Sequence, residues 1–120
     1  MDIINLTQHK ATPEQLQAGV VDYSNPNELA ALLTFTEPPT RAVILSRAYG
    51  LAMIARNEGA MAAMIGGAPY LMSALEDQLR AVLITPVYSF TARDSAEVAQ
   101  PDGTVRKTAV FKHVGFVEVP

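Results

Sequence analysis

The chain has 120 residues, of which 49% are hydrophobic and 18% charged. This length predicts one domain built on one core, which we place over residues 1–120, and the composition is typical of a soluble globular protein. The net charge of -3 excludes the broad basic surface that a long nucleic acid requires, although a small positive pocket for a compact phosphate ligand stays open.

The chain contains no cysteine, which excludes disulfide bonds, cysteine zinc sites and thiol catalysis. The first ten residues, MDIINLTQHK, hold only a short apolar run and resemble neither a signal peptide nor a membrane anchor. We therefore expect a cytoplasmic protein with no membrane partner.

The first half of the chain predicts a strand followed by capped helices. The run Ile3–Thr7 predicts a strand, and Thr12 followed by Pro13 predicts the start of a helix. Asn25 before a proline gives the same signal ahead of the apolar stretch Leu29–Phe35.

A long third helix is predicted from Arg41 to about Asn57, since apolar residues recur there at helical spacing. Thr40 is its expected N-cap, and Gly59 is its expected C-cap.

The second half predicts a further strand, turn and helix unit and then an antiparallel hairpin. The apolar run Ala60–Ile65 between glycines indicates a central parallel strand, with a helix at Tyr70–Leu83 and a third strand at Ile84–Thr91. Two alternating runs follow, Ser95–Ala99 and Thr104–Val119, which an Asp-Gly turn joins. The predicted fold class is α/β, a mostly parallel sheet with a C-terminal antiparallel hairpin.

Ligands of open parallel sheets collect beyond the carboxyl ends of the strands. This rule brings together three stretches: Thr7-Gln8-His9, Gly66-Gly67 and 91–95. A glycine turn before a helix lets backbone amides approach an anion, although a tight turn without a ligand explains the two glycines equally well.

Three side chains are candidates for charge or proton transfer. Arg93 offers a forked cation to a phosphate, or else a surface salt bridge. His9 can act as a general acid or base, or have no role. His113 is either a site residue or a strand histidine that its neighbours half cover.

Strict alternation in KTAVFKHVGF decides which residues accompany His113. It predicts that His113 shares a face with Lys107, while Lys112 and Phe116 lie on the opposite face. Lys112 is then a solubilising charge on a sheet edge.

Other chemistries have little support in the sequence. No GxSxG nucleophile elbow occurs, and the two histidines lack the HxH or HExxH spacing of a metal site. We expect neither a metal nor a cofactor.

Taken together, three stretches resemble a small family of CRISPR-associated, ring-nuclease-like proteins of type III systems. They are INLTQHKATPEQ, the glycine turn, and the ending PVYSFTARDSAEVAQPDGTVRKTAVFKHVGFVEV. Residues 22–59 show no such resemblance, and the segment GGAP at 66–69 departs from the family's more polar turn.

The resemblance implies a Rossmann-like domain, as a homodimer or higher homo-oligomer, that binds a cyclic oligonucleotide or a related second messenger of antiviral defence. It implies metal-independent ring opening or sequestration, in a host or in a bacteriophage that removes the host's signal. The implied catalytic residues are His9, Arg93, Lys107 and His113. Among the predicted ligand-binding residues, the resemblance implies Ser95, Glu97 and Lys112. The strand-end rule and the glycine turn with its helix add Thr7, Gln8, Gly66, Gly67, Tyr70 and Thr91.

Three other functions remain compatible with the sequence. The first is a non-catalytic sponge that holds the nucleotide intact, and the second is a protein interaction module without a ligand. A small-molecule enzyme of another kind comes last, because no complete catalytic constellation is visible.

Overall fold

The computed structural model describes residues 2–120, with the side chains of Asp94 and Ala96 excepted. Its strands are β1 (Ile3–Asn5), β2 (Val20–Asp22), β3 (Ala62–Met64), β4 (Thr85–Ala99) and β5 (Val105–Glu118). Its helices are α1 (Pro13–Gln17), α2 (Pro26–Leu33), α3 (Arg41–Asn57) and α4 (Pro69–Ala81).

The described strands form one sheet in the order β2-β1-β3-β4-β5. The pairs among β1 to β4 are parallel, and β5 is antiparallel to β4. The prediction of an α/β fold with a mostly parallel sheet and a C-terminal antiparallel hairpin is therefore confirmed. From β1 the chain first moves outward to β2 and then returns past β1 to β3. Strand order thus reverses between β1 and β3.

Alternation along the strands divides the core between the two sheet faces. In β3 and the residue after it, Ala63 and Ile65 join the larger cluster beneath α2, α3 and α4, which includes the fully buried Leu51 and Leu75. Ala62 and Met64 join a smaller cluster on the opposite face, against which Phe116 packs. A single five-residue helix, α1, contacts β2 and β5.

The helix starts agree with the predicted caps. Thr12 forms a reciprocal capping box with Gln15, Asn25 accepts the amide of Glu28, and Thr40 accepts the amide of Val43. These caps depend on residues within four positions of one another, which is why the sequence reveals them.

Two strand predictions need correction. The strand β2 was not predicted, because its three residues have no alternating pattern of their own and are held by parallel pairing with β1. The predicted third strand and the run Ser95–Ala99 are one continuous strand, β4, because the polar stretch between them pairs with β5 throughout.

The β4–β5 ladder contains a β-bulge. Phe90 pairs with Gly115 and Thr91 pairs with His113, so Val114 is the extra residue in β5. We call residues 91–113, which lie beyond the bulge, the arm. The rest of the chain, which includes the base of the hairpin, is the body.

The arm extends away from the body. Residues 105–112 are all exposed, so both faces of β5 meet solvent there. The radius of gyration is 16.9 Å, whereas a compact domain of this length has about 14 Å. The Asp-Gly turn closes the arm as predicted, with Gly103 at φ +87° and Asp102 accepting the amide of Thr104. The side-chain and backbone hydrogen bonds from Thr104 lower the pKa of Asp102.

No helix in residues 2–120 combines the length and the apolar character needed to cross a membrane.

Two helices end in the same Schellman motif with different residues at the left-handed position. After α3, Gly59 (φ +71°) donates to Arg56 and Ala60 donates to Ala55. After α4, the equivalent bonds join Leu83 to Arg80 and Ile84 to Leu79, and Leu83 has φ +62° although it is not a glycine. The Leu83 side chain is also 92% exposed, so it packs against little.

We expect Leu83→Gly to raise the free energy of unfolding by about 0.5–1 kcal/mol, since it removes left-handed strain without removing packing. Gly59→Ala should lower it by about 1 kcal/mol for the converse reason. Denaturant midpoints at an unchanged m-value measure both effects. A destabilised Leu83→Gly protein would contradict the assignment of strain to Leu83.

Candidate functional site

A cavity of about 570 Å³ lies at the carboxyl ends of β1 and β3 and beside residues 88–91 in the middle of β4. Loop 7–10 after β1 forms one wall, and Gly66 and Gly67 after β3 form another. The rest of the lining comes from residues 88, 89 and 91 of β4, residues 64 and 65 at the end of β3, Gln15 of α1 and the N-cap residue Thr12. The cavity therefore adjoins the point between β1 and β3 where strand order reverses, which is the usual ligand position in open α/β sheets.

Loop 7–10 is held by one buried side chain, that of Asn5, which is only 3% exposed. Its Nδ2 donates to the carbonyl of His9 (2.7 Å) and to Asp22 Oδ1 (2.8 Å). Its Oδ1 accepts from the amide (2.9 Å) and the hydroxyl (2.7 Å) of Thr7. Asn5 thus uses both donor hydrogens and both acceptor positions to fix the loop.

Asp22 fixes the far end of the same loop. Its Oδ1 also accepts the amide of Ala11 at 3.0 Å, so one carboxylate oxygen joins Asn5 to the residue before the α1 cap. Because Asp22 ends β2, the unpredicted strand contributes directly to the shape of the cavity.

The glycine turn allows close approach to the α4 backbone. Gly67 has φ +152°, which side-chain-bearing residues rarely adopt, whereas the nearest atom to a Cβ placed on Gly66 would be Thr7 Cγ2 at 3.6 Å. Among the four helices of residues 2–120, α4 alone begins without a side-chain cap. Its first-turn amides are not taken up by a capping side chain.

A hydrogen-bonded chain connects α1 to β5 along the cavity wall. Gln15 Nε2 donates to Ser89 Oγ at 3.2 Å, and Ser89 Oγ lies 2.6 Å from His113 Nδ1. With Gln15 donating, the cooperative arrangement has the Ser89 hydroxyl donating to His113 Nδ1. This arrangement leaves the ring proton on His113 Nε2.

The bulge corrects one prediction about β5. Strict alternation predicted Phe116 opposite His113, but their ring centroids lie 4.6 Å apart. The extra residue, Val114, shifts the alternation by one position, so both side chains lie on the Ser89 face of the sheet. The prediction that His113 shares a face with Lys107 is confirmed, since the ladder between them is regular.

Tyr88 at the cavity edge is fixed from the other side of the sheet. Its hydroxyl donates to Glu76 Oε2 at 2.7 Å. Burial, followed by this hydrogen bond, raises the pKa of Tyr88 well above its usual value. Tyr88 therefore stays protonated at neutral pH and does not serve as a base.

The cavity favours negative charge. Among its lining residues Lys10 carries a full positive charge, and the side chains that the structure describes contribute no carboxylate to the lining. No group of three or more His, Asp or Glu side chains in the described part of the chain could hold a metal ion.

The predicted site residues divide into three groups by their position relative to the cavity. Six line the cavity: Thr7, Gln8, His9, Gly66, Gly67 and Thr91. His113 adjoins it through Ser89. The structure does not bring the others into its lining: Tyr70, Arg93, Ser95, Glu97, Lys107 and Lys112.

The residues outside the lining have identifiable positions. Tyr70 packs edge-on against Phe35, with ring centroids 5.4 Å apart. Arg93 and Lys107 lie along the arm, and Lys107 is six residues from His113 in β5. At the usual strand rise of about 3.3 Å per residue, Lys107 is about 20 Å from the cavity edge.

Sequence reasoning missed several residues of the site, among them Asn5, Lys10, Gln15, Asp22 and Ser89. An asparagine in an otherwise apolar strand was the available signal for Asn5, because a buried amide needs partners. Nothing local indicates the long-range contacts of Ser89 or Asp22.

We expect Asn5→Ala to lower the free energy of unfolding by about 2 kcal/mol, because loop groups lose buried partners. Hydrogen exchange should accelerate at the amides of Thr7 and Ala11. Asn27→Ala, an exposed change in α2, is the control and should alter stability by less than about 0.5 kcal/mol. Unchanged exchange in Asn5→Ala would contradict its role as the loop anchor.

We expect Ser89→Ala to change the ring ¹⁵N shifts of His113, since Nδ1 loses its hydrogen-bond donor. His9 is the only other histidine and serves as an internal control, with unchanged shifts. If the wild-type spectrum shows the Nδ1 proton on His113, the inferred direction of the Gln15–Ser89–His113 chain is wrong.

Comparison with known proteins gives one result. No curated protein and no solved structure matches this chain. Residues 1–117 match the family described as uncharacterized protein MJ1673. The chain therefore belongs to the MJ1673 family of uncharacterized proteins.

Proposed function

We propose that this chain binds a cyclic oligonucleotide or related nucleotide second messenger at the described cavity. The observation that carries the proposal is the position of a cavity free of lining carboxylates at the reversal of strand order, beside a glycine turn and a helix start. The resemblance of the chain to ring-nuclease-like proteins supplies the ligand class.

The strand order supports a Rossmann-like assignment. The order 2-1-3-4-5 is that of doubly wound nucleotide-binding sheets, whose ligand lies between the first and third strands. Here the last strand is antiparallel, so the resemblance concerns the first four strands.

Several groups support a phosphate ligand. The Gly66-Gly67 turn leaves room for a phosphate beside the backbone, and the uncapped start of α4 attracts negative charge. Lys10 adds a positive charge on the opposite wall. A cavity of about 570 Å³ lies within the range that accommodates drug-sized ligands, such as a cyclic dinucleotide.

Ring opening at this site needs no external water. A ribose 2'-oxygen attacks the adjacent phosphorus, the bond from phosphorus to the 5'-oxygen breaks, and a 2',3'-cyclic phosphate and a 5'-hydroxyl result. One group takes the 2'-hydroxyl proton and another gives a proton to the 5'-oxygen. We assign these roles to His9 in the loop and His113 in β5, with Lys10 and the amides near Gly67 stabilising the phosphoryl oxygens.

Sequestration is the alternative outcome at the same site. It is favoured by the distance of Lys107 from the cavity of its own chain, which leaves Lys10 as the one full positive charge that the described lining residues provide. A site with fewer groups to stabilise the transition state binds the ring without opening it.

Thermal shift with cyclic di-, tri- and tetranucleotides and cyclic ADP-ribose signals tests binding. We expect one of them to raise the melting temperature. Gly66→Asp should abolish the shift, because it places a carboxylate beside the phosphate position without left-handed strain. Ser46→Asp makes the same charge change on the exposed side of α3 and should bind normally.

Chromatographic separation of the incubated ligand distinguishes cleavage from sequestration, because ring opening by the 2'-oxygen adds no water and gives a linear isomer of the same mass. Cleavage gives a linear product with a cyclic phosphate, and His113→Gln should slow its formation at least tenfold. Intact ligand released on boiling indicates a sponge. If no ligand of the panel shifts the melting temperature of the wild-type protein, the proposed function is wrong.

A further inference from the structure

The described residues of the chain leave the outer part of the arm uncovered, since residues 105–112 are all exposed. On one of its faces the large side chains of Phe111 and Val105 are 69% and 60% exposed. A two-stranded ribbon is marginally stable in water unless one of its faces is covered. The exposed arm therefore favours a covering surface from another molecule.

One face of the arm continues the cavity face of the sheet. Thr91 lies at the cavity, and the cross-strand pairs beyond it on the same face are Arg93 with Phe111 and Glu97 with Lys107. Cross-strand partners project on the same side of a sheet. Phe111 is therefore close to the base of this face, and Lys107 is close to its tip.

We propose that the arm of one copy lies over the cavity of a second copy and that Lys107 completes the anion site there. The exposure and the charge of the arm support its role as an interface between copies. The role of Lys107 in the partner's site rests on the proposed function, because it assumes an anionic ligand in the cavity.

Charge favours a second copy as the partner. Residues 91–113 contain four basic and three acidic residues, a net charge of +1. The remaining 97 residues contain five basic and nine acidic residues, a net charge of -4. An arm packed on the body of another copy thus brings opposite net charges together, whereas two arms packed only on each other would bring like charges together.

The geometry permits a reciprocal contact. The arm leaves the sheet at the edge where the cavity lies, and eight residues of rise carry its tip about 26 Å beyond Thr91. A two-fold axis near the middle pair, Ser95 with Ala109, places the tip of each arm over the cavity edge of the other copy. Both residues are small, so two arms can cross closely at this point.

The oligomeric state tests the interface without any ligand. Light scattering after size-exclusion chromatography should give a dimer for the wild-type chain. Phe111→Ser combined with Val105→Thr should give a monomer with an unchanged circular dichroism spectrum. Val43→Ser, an exposed change on α3, should remain dimeric. A monomeric wild-type chain, or a dimer that the double change does not weaken, would overturn the arm interface.

Subunit mixing tests whether the site is shared. Gly66→Asp removes the cavity of its own chain, and Lys107→Glu alters only the arm, so each homodimer should bind no ligand. After joint unfolding and refolding, half of the dimers are mixed, and each has one intact cavity beneath one intact arm. About one quarter of the sites should then bind the nucleotide identified by thermal shift.

The outcomes separate the two proposals. If the wild-type chain binds a nucleotide but mixing restores no binding, the shared site is wrong and the proposed function stands. Binding by the Lys107→Glu homodimer at wild-type affinity would also overturn the role of Lys107. If no nucleotide binds the wild-type chain, the proposed function and the Lys107 role both fail, while light scattering still decides the arm interface.

Discussion

Parallel pairing of β1 with β2 on one side and β3 on the other is the constraint on which the rest of this structure depends. It forces the connections after β1 and β3 to separate at one edge of the sheet, which opens the cavity. Because β1 is only three residues long, a loop follows it immediately. Asn5, the last residue of the strand, holds that loop in place through its hydrogen bonds to Thr7 and His9, so that the loop forms one wall of the cavity.

Local features of the chain were predictable from sequence, and features that depend on distant pairing were not. The caps at Thr12, Asn25 and Thr40 and the Asp-Gly turn involve neighbouring residues, so their chemistry is visible in short stretches. The strand β2 escaped prediction because its three residues are held by pairing with β1, which lies far away in the sequence.

The positions of the predicted site residues divide in the same way. Residues 7–9, 66–67 and 91, which the rule for strand ends grouped together, line one cavity. The rule also grouped residues further along β4 with them, but residues 91–99 continue as a strand that leaves the cavity. Asn5 and Ser89 were missed since their roles come from hydrogen bonds that only the folded chain creates.

Nearly half of the basic residues of the chain lie on the arm, whereas the body carries a net negative charge. The described side chains that line the cavity include one lysine, Lys10, and no carboxylate. If the arm of a second copy lies over the cavity, as proposed above, its basic residues add to the positive charge that a phosphate ligand meets there.

The bulge at Val114 determines which β5 residues of the body and of the arm lie on the same face of the sheet. On the body side of the bulge, the even-numbered residues of β5 face the small core, as Phe116 does. On the arm side, the odd-numbered residues continue that face, as His113 and Lys107 do. Deleting Val114 would remove the bulge but leave every other β5 side chain on its present face, because Gly115 and His113 already pair with the consecutive residues Phe90 and Thr91. The bulge therefore absorbs the one residue that would otherwise reverse the faces of the arm.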